Sequence, residues 1–515
     1  MTSLDIFILV VLIGGLTVIG LTGKTKTGST ADYFLAGRGL RWWQIGFSLF
    51  ATNFSASAII GLTGAAYLTG IAIYNYEWVG ILAMIFFALV LVGVVRNSQV
   101  YTIAEYLSRR YDERVKVLYS AFIIFLIVFI DMAGSLYAGG ILLTEILPGM
   151  SMNAIIILIM VLAGVYSIIG GLKAISRTDI FQSIILIIGA CLISYYALNA
   201  TGGWSNFVAN VQGDDLSLIR GPGDRAVPWT GLVMGIPVLC AYFWITNQNM
   251  VQWVLSAKSA PEARRGLLMA GYLKLLVLFI IIIPGVAAVQ IIPDLAEADR
   301  IYPALLLELL PAGVLGIVIA GFVAGLMANT DSTLHAASTI ISMDFVRKAK
   351  PEISPKGLVW TGRCTTIIII LISAIWAPMI GNFGTLFEYV QGLLSYAVAP
   401  FVVVYLGGLF WPRGTSRGAV AALCAGILCA VLIGLLRSHV ELLNVHYLHV
   451  PLPISLISLA VFIGVSLTSQ SELVDERLIW RRGATAEGTD TSWRADILIA
   501  LTLLVLIALQ VYTFW

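Results

Sequence analysis

Apolar runs of roughly 18 to 30 residues, bounded by glycine, proline and charged residues, recur along this chain from its first turn to its last. Each is long enough to cross roughly 30 Å of hydrocarbon as a helix rising about 1.5 Å per residue. The fold these runs allow is an all-α integral membrane protein with the bilayer as its solvent. Composition bears this out, since 59% hydrophobic and 11% charged residues in a chain of 515 is a balance no single water-soluble core hides. A net charge of +2 gives no reason to expect a nucleic-acid partner, and no stretch outside the runs is long enough to fold as a soluble catalytic domain.

The runs number about 14 and start near Leu4, Trp43, Ile73, Lys116, Met152, Asp179, Trp229, Gly266, Pro311, Leu358, Thr385, Gly418, Pro451 and Asp496. Alternate connections collect positive charge. Lys24, Lys26, Arg38 and Arg41 lie in one, Arg96, Arg109, Arg110, Arg114 and Lys116 in the next, and the series ends with Arg477, Arg481, Arg482 and Arg494. About 24 of the 30 lysines and arginines fall on this side, which the positive-inside rule makes cytoplasmic. The opposite loops are poor in basic residues, so both termini are expected outside, on the extracellular or periplasmic face. An even helix count, read independently, requires the same.

Two runs are interrupted alike, the second by Ala51-Thr52-Asn53-Phe54-Ser55-Ala56-Ser57 and the seventh by Trp244-Ile245-Thr246-Asn247-Gln248-Asn249. Polar backbone is tolerated at membrane depth only where it lines a cavity or is buried in protein, and interruptions five helices apart point to an inverted-repeat transporter. Ordinary interhelical hydrogen-bonding patches are the plainer reading of the same residues. The expected organisation is one transmembrane domain over residues 1–515. It comprises a first helix and cytoplasmic loop (1–42), a first repeat (43–200), a second repeat (229–411) and extra C-terminal helices (412–515).

Other features are structural in this reading. The run from Leu4 to Leu21 has no small-x-small cleavage pattern after it and is expected as a retained first helix. The five cysteines lie in apolar runs without metal or redox spacing and are packing residues. Trp42, Trp43, Trp411 and Trp515 read as aromatic belt, and Ser471–Ser492 as a polar cytoplasmic loop. No nucleophile triad, phosphate loop or zinc spacing is present, so no enzyme site and no cofactor is expected.

Few ionisable residues lie deep in the runs, and each costs about 2.5 to 3.5 kcal/mol there unless it faces protein or water. They are Glu77, Asp131, Asp179, Lys274, Asp331, His335 and Glu388. Lys274 is too deep to snorkel and needs an internal partner, for which Glu77 is the candidate. A carboxylate beside an ammonium offers acceptors and donors to a polyhydroxyl ligand, or serves only to orient two helices. Asp131 and Glu388 are expected at helix boundaries or in interhelical hydrogen bonds rather than at a ligand.

These residues also carry a likeness to known proteins. Asp32-Tyr33-Phe34-Leu35-Ala36-Gly37-Arg38, Ser48-Leu49-Phe50-Ala51-Thr52-Asn53, Tyr101-Thr102-Ile103-Ala104-Glu105-Tyr106 and Gly170-Gly171-Leu172 with Thr178-Asp179 are among the matching stretches. Gln252, Leu255-Ser256-Ala257-Lys258, Met343-Asp344 and Tyr389-Val390-Gln391 extend the match toward the C-terminus. Together they make the chain resemble the sodium:solute symporters, most of all those of sodium/glucose type.

The resemblance implies a LeuT-type core of five plus five inverted-repeat helices holding a solute near its middle. By position it implies that Glu77, Lys274, Gln391 and Asn53 hydrogen-bond a sugar, with Trp244 beside them and Phe243 where relatives carry a gating tyrosine. Ala58 departs from the Gln or His of relatives. It further implies a sodium between the backbone carbonyls of Ala51 and Phe54 and hydroxyls at positions held here by Gly325, Ala328 and Asn329. Asp331 and Ser332 match a second sodium position, with Asp179 as its carboxylate. Because the first site is short of hydroxyls, Asp179 and Asp331 together are expected to form the cation site, for sodium or a proton. The alternative is that Asp331 sits at a helix end in water or pairs with His335.

The function expected is secondary active transport in the plasma or bacterial inner membrane, as cation-coupled symport of a sugar or polyol with sodium as the coupling ion. Proton coupling, weak coupling, or a sensor that binds solute without moving it are the alternatives.

Overall fold

The computed structural model describes residues 1–22, 30–147, 149–167, 172–437, 439–440, 445–470, 473–481 and 492–515. Lys24, Lys26, Gly170, Gly171, Arg482 and most of the Ser471–Ser492 loop lie outside them. Among the described residues every regular element is helical. Numbered along the chain, the principal helices are α1 (Ser3–Thr22), α2 (Trp42–Asn53), α3 (Ala56–Thr69), α4 (Asn75–Phe86), α5 (Glu113–Ile146) and α6 (Met152–Ser167). They continue with α7 (Leu172–Ala200), α8 (Trp229–Thr246), α9 (Gln248–Leu255), α10 (Ala260–Ile291), α11 (Val314–Ala349) and α12 (Pro355–Phe383). The last five are α13 (Leu386–Ala397), α14 (Ala399–Phe410), α15 (Ser416–Leu436), α16 (Tyr447–Thr468) and α17 (Trp493–Thr513). Ten described helical stretches are long and apolar enough to cross a membrane, and α13 with α14, bent by 51°, makes an eleventh if the pair is one span.

Both polar interruptions are helix breaks with identifiable local causes. α2 stops at Asn53, Phe54 leaves helical geometry, and the Ser55 hydroxyl caps α3 by accepting from Ala58 N–H at 3.2 Å. In the other, α8 loosens into a π turn over Tyr242–Thr246, and the Asn247 side chain caps α9 by accepting from Asn249 N–H at 2.9 Å. Ser and Asn are the residue types that satisfy orphan N–H groups at a helix start, so each break supplies its own cap.

Small residues let the long helices close on one another, as they do where lipid offers no hydrophobic drive for packing. The most extensive helix contact joins α7 to α11. At its crossing a Cβ on Gly321 would lie 3.0 Å from the Ile185 carbonyl, and one on Gly189 3.3 Å from the Val318 Cα. α1 is anchored by Asp5, only 1% exposed, whose carboxylate accepts from Gly313 and Gly316 N–H at 2.7 and 3.1 Å at the start of α11. An acid at a helix N-terminus satisfies the free donors there.

The helix ends sort into two groups. At one end Leu218 N–H donates to the Phe514 carbonyl, Ile71 N–H to Asp215, and Asp5 caps α11, so both chain termini lie there. At the other the basic connections meet. Leu40 N–H donates to the Ser256 carbonyl at 3.1 Å and Lys258 N–H to the Leu40 carbonyl at 2.8 Å, Arg110 donates to the Gly408, Trp411 and Gly414 carbonyls, and buried Arg264 pairs with Asp496 at 2.7 Å.

Candidate functional site

The α2 break, the first turn of α4, the π turn of α8, the middle of α10 and α13 converge on one cavity. Glu77 comes from the first turn of α4, after a short helical turn over Gly70–Tyr74. Lys274 lies near the middle of α10, because that helix begins at Ala260 rather than near Gly266. Its ammonium donates to Glu77 Oε2 and, at 2.7 Å, to Asn53 Oδ1 at the end of α2. It also stands 5.0 Å from the centroid of the Trp244 ring. The lysine side chain is 2% exposed, so its charge is met by a carboxylate, an amide oxygen and an aromatic face rather than by water.

All six residues anticipated for solute binding, Asn53, Glu77, Phe243, Trp244, Lys274 and Gln391, line this space. It continues into a second chamber bordered by Thr52, Ser55, Ser57, Tyr76, Asn329 and Phe387. Toward the end that holds the termini, Tyr76 packs edge-on against Phe387 at 5.2 Å, and its hydroxyl meets that of Tyr447 at 3.2 Å. Phe243 and Trp244 pack together at 5.2 Å, which leaves an apolar wall facing the polar cluster.

Two lining features were not anticipated. Gly80 sits one turn beyond Glu77, where a Cβ would lie 2.8 Å from Trp244 Nε1 and 3.6 Å from Lys274 Cε. Its missing side chain makes room for both, and the only trace in the sequence is a glycine three residues past a buried acid. Asp131 is not at a helix boundary, and it makes no interhelical hydrogen bond among the described residues. It lies inside α5, on a π segment over Ile127–Met132, and borders the chamber. Glu388, by contrast, does cap a helix, closing a capping box with Thr385 at the start of α13.

The residues anticipated for the cation surround the contact between the α2 break and α11. A Cβ on Gly325 would stand 3.1 Å from the Phe54 carbonyl, so the α11 backbone lies directly against the break that holds Ala51 and Phe54. Thr52 donates to the Ser332 hydroxyl at 2.9 Å, and Gln252 to the Ser332 carbonyl at 3.4 Å. Asn329 donates to Ser135 at 2.7 Å and accepts from Thr333 at 3.4 Å, while it also borders the solute chamber. Ala328 is fully buried.

Asp331 lies well inside α11 and is 0% exposed, so it is not at a helix end in water. His335 instead faces the Phe34 carbonyl at 3.3 Å. Asp179 is two turns into α7, which starts earlier than its apolar run implies, and is likewise 0% exposed. It lies within electrostatic reach of Asp331 and beside Ser48. Beyond Ser48, its carboxylate oxygens find no hydrogen-bond donor among the described residues, and neither do the amide oxygens of Gln182 and Gln252. Buried oxygens left over in this way are the donor set a hard cation takes.

Residues 33–426 match the sodium:solute symporter family. The sodium/myo-inositol cotransporter 2 of Homo sapiens is 33% identical over 472 residues, which cover 84% of this chain and 69% of that protein. The sodium/glucose cotransporter of Vibrio parahaemolyticus is 33% identical over 462 residues, covering 83% of this chain and 84% of its own. Among solved structures, a sodium-coupled sialic acid symporter in a substrate-bound, outward-open state matches with a TM-score of 0.80 at 18% identity, over 91% of this chain and 99% of that one. This last is a likeness of fold.

Proposed function

This chain belongs to the sodium:solute symporter family, and from that premise we propose that it is a multi-pass cell-membrane transporter that moves a sugar or polyol inward with sodium by alternating access. The observation that carries the reading is the Lys274 ammonium held by Glu77 and Asn53 in a chamber that Gln391 and Trp244 also line. Such a cluster presents donors and acceptors at fixed positions to a ring of hydroxyls, with Phe243 and Trp244 available to stack on the ring face. Substrate contacts are assigned to Asn53, Glu77, Phe243, Trp244, Lys274 and Gln391.

Sodium is assigned to the junction of α2 and α11, with the carbonyls of Ala51 and Phe54 and the side chains of Asp179, Asn329, Asp331 and Ser332 as its surroundings. Two carboxylates replace the hydroxyls missing at Gly325 and Ala328. A cation there holds the α2 break against α11 and so fixes Asn53 at the solute. The coupling free energy is shared by the two sites, typically about 1–3 kcal/mol.

In this reading fourteen helices cross the membrane, with both termini outside and the basic connections inside. Residues 43–200 and 229–411 form the two inverted repeats and residues 412–515 the added helices. The matching breaks after Asn53 and Thr246 support the repeats. The gathering of basic connections at the end opposite both termini supports the orientation.

Uptake into proteoliposomes tests the whole. An inward sodium gradient is expected to drive accumulation of a labelled sugar or polyol above equilibrium. Binding without accumulation makes the protein a sensor, and accumulation driven by a proton gradient alone removes sodium from the mechanism.

A further inference from the structure

Two acids and one base line the chamber. Lys274 is its one cation among the described lining residues, and that charge is committed to Glu77. A second carboxylate, Asp131, also borders the chamber and makes no hydrogen bond or ion pair among the described residues. It is half-buried and borders the cavity. The π segment over Ile127–Met132 turns this part of α5 out of the register of the preceding turns and brings Asp131 to the wall. An acid without a partner at this depth is costly and, in membrane proteins, marks a functional site.

The groups around Asp131 indicate what its counter-ion is. Ile130, Leu62, Phe243, Phe387 and Val390 border the same chamber and supply no side-chain oxygen. A bare alkali cation needs several oxygen ligands, which these five side chains do not offer. An ammonium is satisfied by one carboxylate, one or two further acceptors and the face of an aromatic ring. Phe243 and Phe387 provide the rings, while Ser57 and Gln391 provide acceptors on the same chamber.

We infer that the preferred solute carries a protonated amine among its hydroxyls, as an amino sugar or amino polyol does, and that Asp131 is the residue that selects it. The inference rests on the polyhydroxyl reading of the site. The hydroxyls face Asn53, Glu77, Lys274 and Gln391, and the ammonium lies toward Asp131, so that one bound solute neutralises the chamber.

Equilibrium binding to the purified full-length protein in saturating sodium tests it, with glucose, glucosamine and N-acetylglucosamine as probes together with myo-inositol and an amino-inositol. The free amines are expected to bind about tenfold or more tighter than their neutral counterparts, a difference of about 1.4 kcal/mol per decade. In Asp131→Asn the preference is expected to collapse while the neutral solutes still bind, and Asp131→Glu is expected to keep it. The N-acetyl probe separates charge from size in the native protein, so the comparison stands even where a variant does not fold. Neutral solutes that bind as tightly as the amines, or an amine preference that survives in Asp131→Asn, overturn the inference and leave the symporter reading intact. Failure of every sugar and polyol to bind overturns both.

Discussion

Lys274 Nζ donates to Asn53 Oδ1 at 2.7 Å, tying the middle of α10 to the last residue of α2 directly before the helix breaks. The same ammonium holds Glu77, so three helices meet at one charge. Removing one member of a buried pair typically costs about 3–5 kcal/mol, because the other charge is left without a partner. Lys274→Ala is therefore expected to lower thermal stability and abolish solute binding. The double change Lys274→Met with Glu77→Leu is expected to recover most of the stability but none of the binding. Melting temperature and sugar binding measured on the same preparations check this, and a single variant that still binds removes the cluster from the site.

Gly80 gives a second expectation. A methyl group there meets the Trp244 indole nitrogen at 2.8 Å, so the ring must turn away from the face it offers Lys274. Overpacking of this kind typically costs about 1–3 kcal/mol. Gly80→Ala is expected to weaken solute affinity by more than tenfold while sodium affinity moves little, because the crowding lies on the α4 side of the chamber. Titration of tryptophan fluorescence with solute and with sodium reads the two affinities separately.

How much of this was legible depended on whether the cause was local. Ser55 and Asn247 cap the helices that follow them, so both breaks could be read from neighbouring residues alone. The Lys274–Glu77 pair followed from the cost of an unpaired charge in lipid, without any knowledge of how α4 and α10 cross. Asp131 was misjudged because its position depends on a π segment, which shifts the face of every later residue and leaves no mark in composition. The proximity of Asp179 to Asp331 depends on the close approach of α7 and α11 through Gly189 and Gly321, and glycines at such spacing occur throughout this chain. The start of α7 at Leu172 was hidden because Lys173 and Arg177 precede its apolar run.

Asp299 predicts a pH dependence outside the membrane-spanning helices. It sits in the short turn Ala298–Arg300 and accepts from the Leu386 N–H at 2.9 Å, which ties the loop before α11 to the start of α13. Burial, with Glu388 and Glu297 nearby, raises its carboxyl to about 6, against the lowering effect of the Leu386 and Tyr137 bonds. Arg300 stands next to it but is engaged by Glu145 and Glu297. A carboxyl raised in the folded state holds its proton where the unfolded chain has lost one, so stability falls as pH rises from about 4 to about 6 and is flat above. The contribution is on the order of 3 kcal/mol. Melting temperature followed across this interval is expected to decline for the native protein. In Asp299→Asn it is expected to decline less, and equal slopes remove the assignment.

The sodium assignment makes the most demanding prediction. Thr52, one residue before Asn53, bonds Ser332, and Ser332 follows Asp331 on α11, so a cation held by Asp331 and Asp179 acts on the solute site through only a few bonds. Asp331→Asn and Asp179→Asn each keep the volume of the side chain and remove one charge. Both are expected to raise the sodium concentration needed for half-maximal solute affinity by at least tenfold, and to leave solute affinity at saturating sodium within about threefold. Ser332→Ala is expected to act in the same direction more weakly, since it removes the Thr52 contact but no charge. A proton-coupled protein would behave differently, because its solute affinity would follow pH rather than sodium, and either Asn variant would abolish that pH dependence. Solute binding titrated against sodium at several pH values separates the two. If neither Asn variant shifts the sodium dependence, the cation lies elsewhere, and the two buried acids serve only to pack α7 against α11.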